Sequence, residues 1–75
     1  MTEVRMPKPG DAITEAVLLE IHVDEGTDAV AGAPLYTIET DKVEMEIESP
    51  ASGTVRWQVA VGGTYEVGEL LAVIG

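Results

Sequence analysis

The sequence predicts an all-β domain, a flattened barrel or sandwich of two small antiparallel sheets related by an approximate two-fold axis. Three observations carry that prediction. Apolar and polar residues alternate with period two in several short runs, as strands with one buried face require. Turn residues punctuate those runs at Pro9-Gly10, Gly26, Gly32, Ser49-Pro50, Gly53, Gly62-Gly63 and Gly68, and no stretch keeps helical spacing for three turns without meeting glycine or proline. The chain also repeats itself. Under a shift of 36 residues, Gly26 falls on Gly62, Gly32 on Gly68, Val23 on Val59, Leu35 on Leu71 and Ile38 on Ile74, while Leu19 and Ile21 meet Val55 and Trp57. Two strand–loop–strand copies, neither able to bury its apolar face alone, complete one another as a closed pair.

The elements follow in order. The polar start MTEVR has no signal-peptide character. PKPG is an extended, rigid entry that holds Lys8 between two prolines. In EAVLLEIHV the inward row is Val17, Leu19, Ile21 and Val23. The matched glycines after it suit turns that need positive φ or a close backbone approach. LYTIE and VEMEIE form a hairpin with Asp41 and Lys42 at its centre; Val43, Met45 and Ile47 face inward, and Glu44, Glu46 and Glu48 face water. Asn-Gly or Asp-Gly would suit a two-residue hairpin better, and a type I turn would spare Lys42 a positive φ. TVRWQVAV sets Val55, Trp57, Val59 and Val61 on one side, and LLAVI closes the domain.

Seventy-five residues make one domain spanning 1–75. A chain this size buries only about 60% of its extended surface, so its stability is modest but attainable without cross-links. There is no cysteine, which removes disulfides, thiol catalysis and thiolate metal sites, and fits a reducing cytoplasmic setting. The apolar run Leu70–Ile74 is far too short to span a bilayer. The formal net charge is −10 at pH 7. That field repels a phosphate backbone or an anionic lipid surface, which argues against nucleic-acid and membrane binding and favours a basic partner or plain solubility.

Lys42 is one of only two lysines, and it stands at a predicted turn tip amid Glu39, Asp41, Glu44, Glu46 and Glu48. A Schiff-base lysine needs desolvation or a cationic neighbour, and this one has neither. An exposed tip lysine is either an ordinary solvated side chain or a handle acylated by another enzyme. Other candidates are weaker. His22 is the sole histidine and reads as an exposed strand residue without a second histidine for a metal. DEGTD lacks the spacing and terminal Glu of a calcium loop. Glu44, Glu46 and Glu48 form a solvated row, and Trp57 and Met45 read as core. Lys8 is the rival attachment site, but its prolines make a poor hairpin tip.

At this point the residues resemble a known family. IETDKVEMEI is similar to the lipoylation motif of the lipoyl domains of 2-oxoacid dehydrogenase complexes, within the biotinyl/lipoyl-attachment family, and PKPGDAITEA resembles the family's entry segment. EGTDAVAGAPL and VGGTYEVGELLAVIG fit its two quasi-symmetric glycine loops, and SPASGTV fits the turn after the modified hairpin. The resemblance covers essentially the whole chain and implies a barrel-sandwich hybrid. It also implies a lipoate amide on Lys42, with Glu39, Asp41 and Val43 recognised by the lipoylating enzymes. Gly10, Asp11, Ala12, Ile13 and Thr14 would lie near the tip and help select the decarboxylase. Asp11 and Ala12 depart from the usual Glu-Ser, Ala16 from Gly, Ala29 from Val, and Asp28 sits one residue later than usual; none of these touches Lys42.

The function so implied is that of a non-catalytic carrier. A thiamine-diphosphate-dependent 2-oxoacid decarboxylase would reductively acylate the arm, a dihydrolipoamide acyltransferase core would pass the acyl group to coenzyme A, and a flavin dihydrolipoamide dehydrogenase would reoxidise it. The setting would be cytoplasmic, or the mitochondrial matrix for a eukaryotic complex. The chain closes on its last strand at Gly75 without a Pro/Ala-rich linker, which fits either an excised N-terminal domain or a free-standing carrier. Two other classes remain in view. A biotin carboxyl carrier would share fold and lysine, but biotinyl domains usually flank the lysine with Met, whereas here Asp41 and Val43 flank it. An unmodified acidic interaction module would need no lysine chemistry.

Overall fold

Strands form over each of the alternating runs, although the one in TVRWQVAV stops at Trp57. The computed structural model describes residues 1–75 and contains eight strands: β1 (Thr2–Arg5), β2 (Glu15–Ile21), β3 (Asp28–Ala29), β4 (Pro34–Glu39), β5 (Glu44–Glu48), β6 (Gly53–Trp57), β7 (Thr64–Glu66) and β8 (Leu70–Ile74). They make two four-stranded sheets, ordered β1-β8-β6-β3 and β5-β4-β2-β7, with every pairing antiparallel. The all-β, two-sheet expectation holds. Strand β1 was not foreseen, because TEVR is too short and polar to show a period.

The repeat is visible in the topology. Exchanging β1 with β5, β8 with β4, β6 with β2 and β3 with β7 turns one sheet order into the other. Backbone bonds repeat as well. Gly32 N–H donates to Ser49 O and Gly68 N–H to Met6 O, both at 2.9 Å; His22 N–H donates to Leu35 O and Gln58 N–H to Leu71 O, at 2.9 and 2.8 Å. The paired glycines have matching left-handed φ, +79° and +93° at Gly26 and Gly62, and +86° and +89° at Gly32 and Gly68. A side chain there would strain the backbone, which is why glycine recurs at this spacing.

One departure from the 36-residue shift changes the inward row of β2. Leu18 pairs with Ile38 and Glu20 with Thr37, so Leu19 is the extra residue of a β-bulge. Ala16 and Leu18 are therefore buried, whereas Leu19 is 40% exposed and Val17 is half-buried on the outer face. After the bulge the phase returns, and Ile21 and Val23 pack on the core as expected. The true counterpart of Val55 is Leu18. Gly62 N–H donates to Leu18 O as Gly26 N–H donates to Val55 O.

The core lies between the sheets, with Leu18, Leu35, Tyr36 and Ile38 facing Val4, Val55, Leu71, Ala72 and Ile74, and Met6 plugging one side. Trp57 packs against it, its indole N–H donating to Val23 O at 2.9 Å. Besides Leu19, three expected inward residues are exposed: Val43, Met45 and Val61. Edge strand β5 runs with its hairpin past the end of the core, so only Ile47, opposite Tyr36, reaches the packed region. Val61 stands in the loop before Gly62, beyond the end of β6.

Candidate functional site

The β4–β5 hairpin keeps its register up to the pair Glu39–Glu44 and then reverses over Thr40, Asp41, Lys42 and Val43. Thr40 N–H donates to Val43 O at 2.8 Å. The Thr40 hydroxyl accepts from Lys42 N–H at 3.3 Å and Val43 N–H at 3.2 Å. No non-glycine residue has positive φ, so the turn places Asp41 and Lys42 at its centre without left-handed strain. Asp41, Lys42, Val43 and Glu44 are all exposed.

The surrounding acids do not clamp the lysine. Ion pairs form between Arg5 and Glu3 and between Arg56 and Glu25, and the His22 ring lies 3.4 Å from a Glu20 carboxylate oxygen and 4.0 Å from one of Glu46; Lys42 enters none of these contacts. Glu46 reaches instead toward His22, whose Nε2 also lies 2.7 Å from the Thr37 hydroxyl. The chain thus presents an exposed primary amine at its tip, with no ion pair to break on acylation and nothing to desolvate it. His22 sits just past the end of β2 and is exposed, as expected. Lys8 is also exposed, but on the extended segment between β1 and β2.

Beside the hairpin, Ala12–Val17 and Glu39–Asp41, together with Thr64, line an open groove of about 490 Å³. The structure therefore brings Ala12, Ile13 and Thr14 together with Glu39 and Asp41. Gly10 and Asp11 do not line this groove; Gly10 O accepts from Ile13 N–H at 3.2 Å and so bends the segment toward it. Lys42 and Val43 border a smaller depression of about 250 Å³, which shares Glu39, Thr40 and Asp41 with the groove.

The biotin/lipoyl family model, described as biotin-requiring enzyme, matches residues 2–74. The chain belongs to the biotin/lipoyl-attachment family. This attachment domain is 40% identical, over 70 residues, to the dihydrolipoyllysine-residue acetyltransferase component of the acetoin cleaving system of Cupriavidus necator, a match covering 92% of this chain and 19% of that protein. It is 36% identical, over 76 residues, to the dihydrolipoyllysine-residue succinyltransferase component of the 2-oxoglutarate dehydrogenase complex of Staphylococcus saprophyticus, covering 100% of this chain and 18% of the relative. The chain thus spans about a fifth of the length of these curated relatives. The solved lipoyl domain of the 2-oxoglutarate dehydrogenase complex from Azotobacter vinelandii superposes with a TM-score of 0.82 at 26% identity, covering 100% of this chain and 96% of that one.

Thr40 is the residue of this attachment domain that the sequence did not single out. A threonine immediately before a turn's central pair is a signal for side-chain capping, since its hydroxyl can bond the backbone two residues on.

Proposed function

We propose that this domain is a lipoyl carrier, with lipoate held in amide linkage on Lys42, serving a 2-oxoacid dehydrogenase-type complex. The observation that carries the reading is an exposed, unpaired lysine at the tip of the β4–β5 hairpin, in a family member whose relatives are named for a dihydrolipoyllysine residue. The residues fit the group, since acylation of the amine breaks no ion pair and disturbs no core side chain. Lipoate bound there would supply a redox-active dithiolane able to take up an acyl group with its electrons.

The chain's own residues do the presenting. The hairpin lifts the Lys42 amine clear of the sheets, and Glu39, Asp41 and Val43 offer lipoylating enzymes a charged and apolar frame around it. The wall Ala12–Thr14 beside that frame is positioned to meet a thiamine-diphosphate-dependent decarboxylase, while Gly10 and Asp11 shape its approach. An acyltransferase core and a dihydrolipoamide dehydrogenase complete the partner set. Tethering keeps the arm at an effective concentration of roughly millimolar at each site. A biotin carrier is the second reading, and the absence of Met on either side of Lys42 counts against it.

Intact-mass analysis after incubation with lipoate, ATP and a lipoate ligase, and separately with biotin, ATP and a biotin ligase, tests the reading. One lipoyl adduct and no biotinyl adduct are expected; the reverse pattern would make the domain a biotin carrier, and no adduct an unmodified module.

A further inference from the structure

We infer that Thr40 is a positioning residue for the modification of Lys42. The inference rests on the lipoyl-carrier reading and adds to it a residue with a defined task. Beyond the pair Glu39–Glu44, one backbone bond holds the tip, from Thr40 N–H to Val43 O at 2.8 Å. Every other hydrogen bond inside the tip involves the Thr40 hydroxyl. It accepts from Lys42 N–H at 3.3 Å and from Val43 N–H at 3.2 Å, and it donates to Val43 O across 3.4 Å.

These contacts are long one by one, but they converge on a single oxygen and so fix the turn about the Lys42 backbone. The Asp41 carboxylate makes no hydrogen bond within the tip, where the Lys42 and Val43 amides both donate to Thr40. The two residues therefore divide the work. Asp41 is free to face a modifying enzyme, and Thr40 sets where Asp41 and Lys42 stand.

Thr40 is half-buried, whereas Asp41, Lys42 and Val43 are exposed and none of the four belongs to the core. Losing the hydroxyl should therefore leave the sheets intact and loosen only the tip. An enzyme must bring the Lys42 amine to an activated carboxyl within a narrow geometry, and a misplacement of about 1 Å can cost a large part of the rate. The hydroxyl thus governs enzymatic modification without changing the chemistry of the amine.

The test compares the parent with Thr40→Val, which keeps the shape and removes the hydroxyl, and Thr40→Ser, which keeps the hydroxyl. Three quantities are read: thermal midpoint, the rate at which acetic anhydride acylates Lys42, and kcat/KM for a lipoate ligase. Thr40→Val should keep the first two at parental values while kcat/KM falls about ten-fold, and Thr40→Ser should restore it to within about two-fold. Amide exchange at Lys42 and Val43 should quicken in Thr40→Val alone. Parental kcat/KM in Thr40→Val, equal loss in both variants, or failure of Thr40→Val to fold would each overturn the assignment. A parent that the ligase cannot modify would fail one step earlier, overturning the lipoyl reading and this one with it.

Discussion

The indole of Trp57 stands edge-on to the ring of Tyr36, with centroids 6.1 Å apart and planes at 87°. The pair joins the two sheets, since Tyr36 lies on β4 and Trp57 on β6. Edge-to-face contact of this kind adds roughly 0.5–1.5 kcal/mol beyond area burial. Tyr36 is 1% exposed, and burial pushes its phenol from 10.0 up to about 12.

A pH dependence follows. The folded state holds the Tyr36 proton more tightly than the unfolded chain, so this contribution is fully present below pH 10.0 and is lost as pH rises through about 12. The loss over that window is of order 2–3 kcal/mol. Urea melts at stepped alkaline pH should show it, and Tyr36→Phe should remove that part of the decline while keeping the ring contact with Trp57. An alkaline decline of equal size in Tyr36→Phe would place its cause elsewhere.

The β2 bulge predicts opposite fates for adjacent leucines. Leu18 is fully buried and Leu19 is the extra, 40% exposed residue. Leu18→Ala should cost about 2–5 kcal/mol, the range for a large buried side chain cut to alanine. Leu19→Ala should cost well under that, on the order of 0.5–1 kcal/mol. Chemical denaturation of the two variants checks the bulge, and similar losses would contradict its register.

Cofactor choice should respond to the flanks of Lys42. Replacing Asp41 and Val43 by Met alters two exposed side chains and touches no core residue. Specificity is a difference of affinities, so one change can add contacts for one enzyme and remove them for another. The double variant should gain biotinylation by a biotin ligase, seen on a streptavidin blot, while its lipoylation falls by intact mass. Strong biotinylation of the parent would reverse the assignment.

Much of this was legible beforehand, for identifiable reasons. Glycines at φ near +79° to +93° must recur wherever the turn recurs, so the repeat could be read directly from Gly26, Gly32, Gly62 and Gly68. The exposed position of Lys42 was legible because two alternating runs so close in sequence must pair as a hairpin with Asp41 and Lys42 at its tip. Leu19 was misread because a bulge adds one residue without changing composition, and the apolar run Val17–Leu19 supports either phase equally well. Val43 and Met45 were misread because alternation reports which face a side chain takes, and not whether a second sheet covers that face. The groove beside the tip was not foreseen, since it joins Ala12–Val17 to Glu39–Asp41 across a long stretch of sequence; family resemblance supplied only the nearness of Gly10–Thr14 to the tip.

The most direct measurement of the central claim is where the group goes. After incubation with lipoate, ATP and a lipoate ligase, peptide mass spectrometry should find a single lipoyl amide, on Lys42. Lys42→Arg should fold as the parent does, judged by its Trp57 fluorescence and thermal midpoint, and should gain no adduct. An adduct on Lys8, or a Lys42→Arg protein modified as readily as the parent, would contradict the account.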